Sequence, residues 1–406
     1  MAPRVLLLTQ WFDPEPTFKG LVFARELVRQ GFEVDVLTGF PNYPGGQIYP
    51  GYRMRWRQRE LIDGVHVTRV PLYPSHDNSA IQRVLNYVSF AAAALLHGMF
   101  ARRCDVVYAY HPPLTVGIAA SILRLLRRTP VVYDIQDMWP DTLRATGMIG
   151  NPRVLDVVGK VCAWVYRRID HIVVLSPGFK RLLIERGVPE NKIDVICNWA
   201  DEAALGTPSG ALPPNFPGPE RFRIVYAGNM GRAQALDVVL EAAALLKARG
   251  VAVSFVLVGG GIDVKRLSTL ATERGLDNVV FVPAVPMSEV GTLLNAADAL
   301  LVHLRRDPLF QITIPSKTQA YMTKGKPLLM AVDGDAADLV RAAGGGIVAE
   351  SEDAESVARA AQRLAEMPVA ERDAMGARAQ AYYREHLALE VGASRFGDIF
   401  RKLARG

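Results

Sequence analysis

The stretch Ile314–Pro327, IPSKTQAYMTKGKP, gathers residue types that hold an anion. Strand-like runs flank it, Ala299–Leu304 before and Pro327–Val332 after. Pro315, Ser316 and Lys317 fall in the loop, a short helix follows, and Gly325 stands where a helix C-cap belongs. Such a turn aims backbone N–H groups, a hydroxyl and an ammonium at one place, which suits a diphosphate. The competing reading is an ordinary strand-to-helix connection with a solvated lysine. Two glycine-bearing turns share this character. Tyr226–Arg232 carries Gly228, Asn229 and Gly231 ahead of Arg232, whose planar fork matches a phosphate. Val258 is followed by Gly259, Gly260 and Gly261, where a nucleotide would come close to backbone, or the chain simply turns tightly. All three loops are expected to face one cleft.

The first half carries further candidates. Glu15–Gly20 lies between a strand and a helix, with Thr17 as the expected cap, Lys19 as a cation and Gly20 allowing close approach. His111 follows another strand end, as a substrate contact or a structural hydrogen-bonding group. Tyr133–Asp141 places Asp134, Asp137 and Asp141 within eight residues. One of these carboxylates would orient a substrate hydroxyl or take its proton. Asp137 is the candidate, because Asp134 reads as part of the strand and Asp141 as a helix cap. Trp139 stacks on a sugar or closes the loop. Asp333-Gly334-Asp335 has the spacing of a metal site but reads better as a turn with Asp335 as N-cap, so no metal is expected.

The elements that position these residues alternate between strand and helix throughout, which predicts α/β layers on parallel sheets. The alternation breaks in the Pro- and Gly-rich stretch between 198 and 222 and then resumes. This gives an N-terminal domain over 1–200, a linker over 201–222, a second domain over 223–386, and a terminal helical segment over 387–406 that crosses back to the first. Two doubly wound domains bind ligands in the cleft facing the strand C-termini. A chain of 406 residues suits two such cores.

Composition narrows the function class. Cys104, Cys162 and Cys197 are scattered without metal spacing and read as reduced thiols of a cytosolic protein. The opening MAPRVLLLTQ reads as a first buried strand and not a signal peptide. The net charge is +6, unevenly placed. Arg53, Arg55, Arg57 and Arg59 alternate around Met54, Trp56 and Gln58, and Arg102, Arg103, Arg124, Arg127 and Arg128 close two apolar helices. This pattern fits an anionic membrane surface, or else solvated faces and arginines that favour the helix C-termini they close. No nucleic-acid motif accompanies it. Val84–Ala101 is apolar but interrupted by Asn86, Ser89 and His97, so an interfacial or buried helix is expected over a spanning one.

YDIQDMWPDT, VVLSPGFKRLL, YAGNMGRAQALDVVLEAA, LVGGG and TIPSKTQAYMTKGKPLL together resemble family 4 of the retaining glycosyltransferases with the GT-B fold. They look most like enzymes that transfer amino- or deoxy-sugars in bacterial surface polysaccharide assembly, such as fucosamine and colanic acid transferases. The resemblance implies two Rossmann-like domains facing a central cleft, the donor held on the second and the acceptor on the first. It implies a UDP-sugar donor without cofactor or metal, a polyprenyl-diphosphate-linked saccharide acceptor, and a place on the inner face of the plasma membrane. A sugar epimerase of the same architecture and a sugar-binding module are the alternatives. The family's paired glutamates before the Gly-Lys-Pro turn fall on Ile312 and Ala320 here. Its usual Arg and Lys fall on Asn229 and Gln234, and its usual histidine on Gln136. The leaving diphosphate is therefore expected to rest on Lys317 with Ser316, on Arg232, and thirdly on Lys19. Gln136 would orient the donor sugar. Asp137 would serve as the acceptor-side base, unless a phosphate oxygen takes the proton.

Overall fold

Runs such as Val131–Ile135 (VVYDI) and Val253–Val258 (VSFVLV) are buried at every position, as strands are when helices cover both faces of a sheet. The computed structural model describes residues 2–75, 80–205 and 210–405. The chain forms two units, 1–197 with 389–406, and 198–388.

The first unit runs β1 (Arg4–Leu8), α1 (Leu21–Arg29), β2 (Glu33–Gly39), β3 (Gln58–Ile62), β4 (Val65–Val70), α2 (Ala80–Met99), β5 (Val106–Tyr110), α3 (Leu114–Arg127), β6 (Val131–Ile135), α4 (Asp141–Ala145), α5 (Pro152–Arg168), β7 (His171–Val174), α6 (Pro177–Glu185) and β8 (Ile193–Val195). Its eight strands lie in the order β3-β4-β2-β1-β5-β6-β7-β8. All neighbours pair parallel except β3 with β4. The order reverses at β1 and β5, so the chain ends of those strands open the crevice where such sheets bind ligands.

The second unit runs β9 (Phe222–Ala227), α7 (Asp237–Ala248), β10 (Val253–Val258), α8 (Val264–Glu273), β11 (Val279–Val282), α9 (Met287–Ala296), β12 (Ala299–His303), α10 (Pro308–Gln311), α11 (Ser316–Met322), β13 (Leu328–Ala331), α12 (Asp335–Ala343), β14 (Gly346–Val348), α13 (Ala354–Glu366) and α14 (Val369–His386). Its six strands are all parallel in the order β11-β10-β9-β12-β13-β14, reversing at β9 and β12. The last helix, α15 (Leu389–Ala404), belongs to the first unit. There Phe396 packs 5.3 Å from Phe23 and 5.4 Å from Tyr108.

Several local readings change. The strand β3 was not anticipated, because Gln58–Ile62 alternates half-buried with exposed residues and carries Arg59 and Glu60, as a sheet edge does. The helix expected to carry Val84–Ala101 is α2, and residues 206–209 of the expected linker lie outside the described residues. Part of that linker is tied down within the second unit. Tyr383 Oη donates to Glu202 at 2.9 Å and accepts from the Ala200 N–H at 3.2 Å. Among the described residues no helix is long and apolar enough to cross a membrane. Two cations of the expected basic surface are used internally: Arg124 forks onto Asp170 at 2.6 Å, and Arg127 donates to Gly98 O and Arg102 O behind α2.

Candidate functional site

In the second unit the reversal point sets Gly228 just beyond β9 and Lys317 at the start of α11. Tyr321 joins these two elements. Its hydroxyl accepts from the Ala227 N–H at 2.7 Å and donates to Ala227 O at 3.1 Å. Lys317 lies one turn earlier on the same helix face. Its ammonium therefore sits 3.7 Å over the Tyr226 ring and 3.1 Å from where a side chain on Gly228 would begin. Gly228 has φ 145°, so that place stays open.

Lys317 is half-buried, and burial alone pulls its amine down to about 7. It has no hydrogen-bond or ion-pair partner among the described residues. A cation so placed lacks its counter-charge. Arg232 begins a 3-10 turn, Arg232–Gln234, is exposed, and likewise has no such partner among the described residues. Pro315 is the N-cap of α11 and Ser316, its first residue, is exposed. No side chain caps that helix start.

The glycine loops interlock. A side chain on Gly259 would begin 2.0 Å from Gly228 O, and one on Gly261 2.3 Å from Met230 O. The Met230 N–H donates to Gly260 O at 2.7 Å. These glycines thus let two loops touch backbone to backbone, which fixes Gly228 and Gly231 in place. Gln234 braces the same loop, accepting from Gly231 N at 3.0 Å and Asn229 Nδ2 at 3.4 Å. His303, at the end of β12, was missed by the sequence reading. It is buried, and its Nδ1 lies 2.7 Å from Gln234 O.

The expected N-cap at Asp335 is instead Gly334, whose φ of 77° and contact with Gln311 O leave no room for a side chain. Asp333 pairs with Arg306 at 3.2 Å. Among the described residues no group of three His, Cys, Asp or Glu side chains gathers as a metal ligand set.

In the first unit, His111 and Asp137 end neighbouring strands β5 and β6. His111 is buried, and burial lowers its pKa to about 3, so it stays neutral. The Asp137 N–H points at its Nδ1 from 3.4 Å. Trp139 meets the same ring edge-on at 5.6 Å. The Asp137 carboxyl is half-buried, and burial raises its pKa, making it a stronger base than a solvated aspartate.

Other first-unit candidates are bonded within the fold. Gln136 Nε2 donates to Asp134 Oδ1 at 2.7 Å, and the buried Asp134 also accepts from Tyr108 Oη at 2.5 Å. Lys19 is 0% exposed, 5.5 Å over the Phe396 ring, with Asp134 as its compensating charge. That burial removes Lys19 from the surface a diphosphate reaches. Thr17 does not cap α1. Gly20 is the N-cap, and Asp13 Oδ2 accepts from Leu21 N at 2.6 Å. A side chain on Gly20 would begin 2.2 Å from that carboxylate, so Gly20 makes room for the cap. Asp141 is the first residue of α4 rather than its cap, and pairs with Arg186. Glu15, quoted only as part of a loop, accepts from the N–H groups of Asn42 and Tyr43 at 2.8 Å and so joins the loops after β1 and β2.

Two α/β units built on parallel sheets give the chain the GT-B fold of the solved structures it matches. Residues 21–199 match the family model of the glycosyl transferase 4-like domain, and residues 214–382 that of glycosyl transferases group 1. The chain is thus built of two glycosyltransferase domains, a 4-like domain followed by a group 1 domain. It is 29% identical over 309 residues to the putative colanic acid biosynthesis glycosyl transferase WcaI of Escherichia coli strain K12, covering 74% of this chain and 75% of that one. Its fold matches Anabaena HepE in complex with UDP-glucose (TM-score 0.68, 15% identity, 98% of this chain and 99% of that chain). It also matches sucrose-phosphate synthase from Thermosynechococcus elongatus (TM-score 0.73, 16% identity, 99% of each chain). At these identities the likeness is one of fold.

Proposed function

We propose that the protein transfers a sugar from a UDP-sugar to a polyprenyl-diphosphate-linked saccharide during surface polysaccharide synthesis, with retention at the anomeric carbon. The colanic acid role in the name of the E. coli relative supports the pathway class, and the UDP-glucose of HepE supports the donor class. The observation that carries the reading is Lys317, a half-buried cation over Gly228 with no anion of its own among the described residues.

Lys317 and Arg232 bind the donor diphosphate and neutralise the charge that grows as the sugar–phosphate bond breaks, a task that needs no metal in this reading. Ser316 adds a hydroxyl to the same grip. In the first unit Asp137 orients the acceptor hydroxyl. In a front-face transfer the departing phosphate oxygen takes that hydroxyl's proton, and Asp137 takes it otherwise. An amino-deoxy sugar is the donor class that the motifs favour. In this reading the enzyme is peripheral on the cytoplasmic face of the membrane, and the exposed apolar residues of α2 support that.

The test is UDP release with a panel of UDP-sugars and a lipid-linked saccharide acceptor. Lys317→Ala and Arg232→Ala should each lower kcat/KM at least about tenfold, the loss of one charge-assisted contact. Full activity in both would refute the donor site. Free sugar released without an acceptor would point to an epimerase instead.

A further inference from the structure

The first unit holds a groove of about 710 Å³, lined by none of the candidate residues above, between the C-terminal turn of α2 and strands β2, β3 and β4. Arg57, Arg59 and Arg102 line it, all exposed, and none makes a side-chain hydrogen bond or ion pair among the described residues. Its two acids are already matched. Asp35 lies 3.9 Å from Arg4, and Glu60 accepts from Arg69 at 3.1 Å and Gln58 at 2.7 Å. The groove therefore presents uncompensated positive charge.

Its wall holds a polar atom in need of a partner. His97 Nδ1 lies 2.9 Å from Ala93 O, while its buried Nε2 has no hydrogen-bond partner. The rim is apolar. Trp56, 66% exposed, meets the His97 ring at a tilt with centroids 4.8 Å apart, and Phe100 is 80% exposed. Exposed Ile81, Val84, Leu85 and Val88 continue this surface along α2 at helical spacing.

We infer that this groove binds one anionic phospholipid of the bilayer, its phosphate held by Arg57, Arg59 and Arg102, its chain laid over Trp56, Leu96 and Phe100. Charge complementarity selects an anionic head, and the exposed aromatic rim selects an amphiphile over a free anion. The inference deepens the membrane reading above and rests on it. It makes one built site, rather than a diffuse basic surface, the anchor.

Full-length protein is co-sedimented with phosphatidylcholine vesicles, with and without about 30% phosphatidylglycerol. Two charge-matched double variants are compared, Arg57→Glu/Arg102→Glu in the groove and Arg53→Glu/Arg55→Glu in the same exposed segment outside its lining. The groove variant should lose partitioning at least about tenfold, and the outside variant less than about threefold, with melting temperatures unchanged. Equal losses would overturn the groove while leaving membrane association standing. No binding of the wild type to anionic vesicles would overturn both, and transfer to a soluble acceptor would still test the enzyme reading separately. Thermal protection by inorganic phosphate, lost in the groove variant and unaccompanied by vesicle binding, would assign the groove to a soluble anion and overturn the lipid.

Discussion

At the residue scale the account turns on one amine. Burial holds Lys317 near neutrality, below the ordinary lysine value of 10.5. In the free protein only its charged form is penalised, so its contribution to stability improves as pH rises from about 7 toward 10.5. A bound diphosphate reverses this preference, and binding then takes up a proton. UDP affinity should therefore fall above pH 7, with a slope approaching about tenfold per pH unit, and calorimetry in buffers of different ionisation enthalpy should show the uptake. A flat profile from pH 7 to 9 would count against the assignment. The place of Lys317 at the opening of a helix was legible from the Pro-Ser before it. Lys19 misled, since sequence does not reveal that its ammonium lies under Asp134 and Phe396 in the core. His303 and Glu15 carried no local signal, because their shortest hydrogen bonds are to backbone groups distant in sequence.

At the element scale, placement of the site depends on the bond between α11 and β9. Tyr321→Phe deletes both hydrogen bonds to Ala227 and leaves a half-buried N–H without its partner. It should cost about 1–3 kcal/mol in urea denaturation and weaken UDP binding several-fold as Lys317 loses its register over Gly228. Unchanged stability and affinity would show that α11 is held some other way. Most elements were legible, because largely apolar runs such as VVYDI and VSFVLV leave little choice but buried parallel strands. The edge strand β3 was not, because its mixture of charges reads equally as a solvated surface.

At the scale of the whole molecule, the first unit is discontinuous in sequence: α15 returns to it after the second unit is complete. Phe396 and Phe400 pack against Phe23, Phe32 and Tyr108 there. Truncation after residue 388 should abolish or lower the unfolding transition of the first unit while the second keeps a UDP-dependent thermal shift. Loss of the UDP shift as well would mean that donor binding is not confined to residues 198–388. The two-core organisation followed from chain length and alternating pattern, whereas long-range packing of aromatic side chains has no signature in local periodicity. The most direct test of the central claim is isothermal titration of UDP into wild-type and Lys317→Met protein at pH 7. The account predicts at least about tenfold weaker binding by the variant with an intact fold. Equal affinity for the two proteins would contradict it.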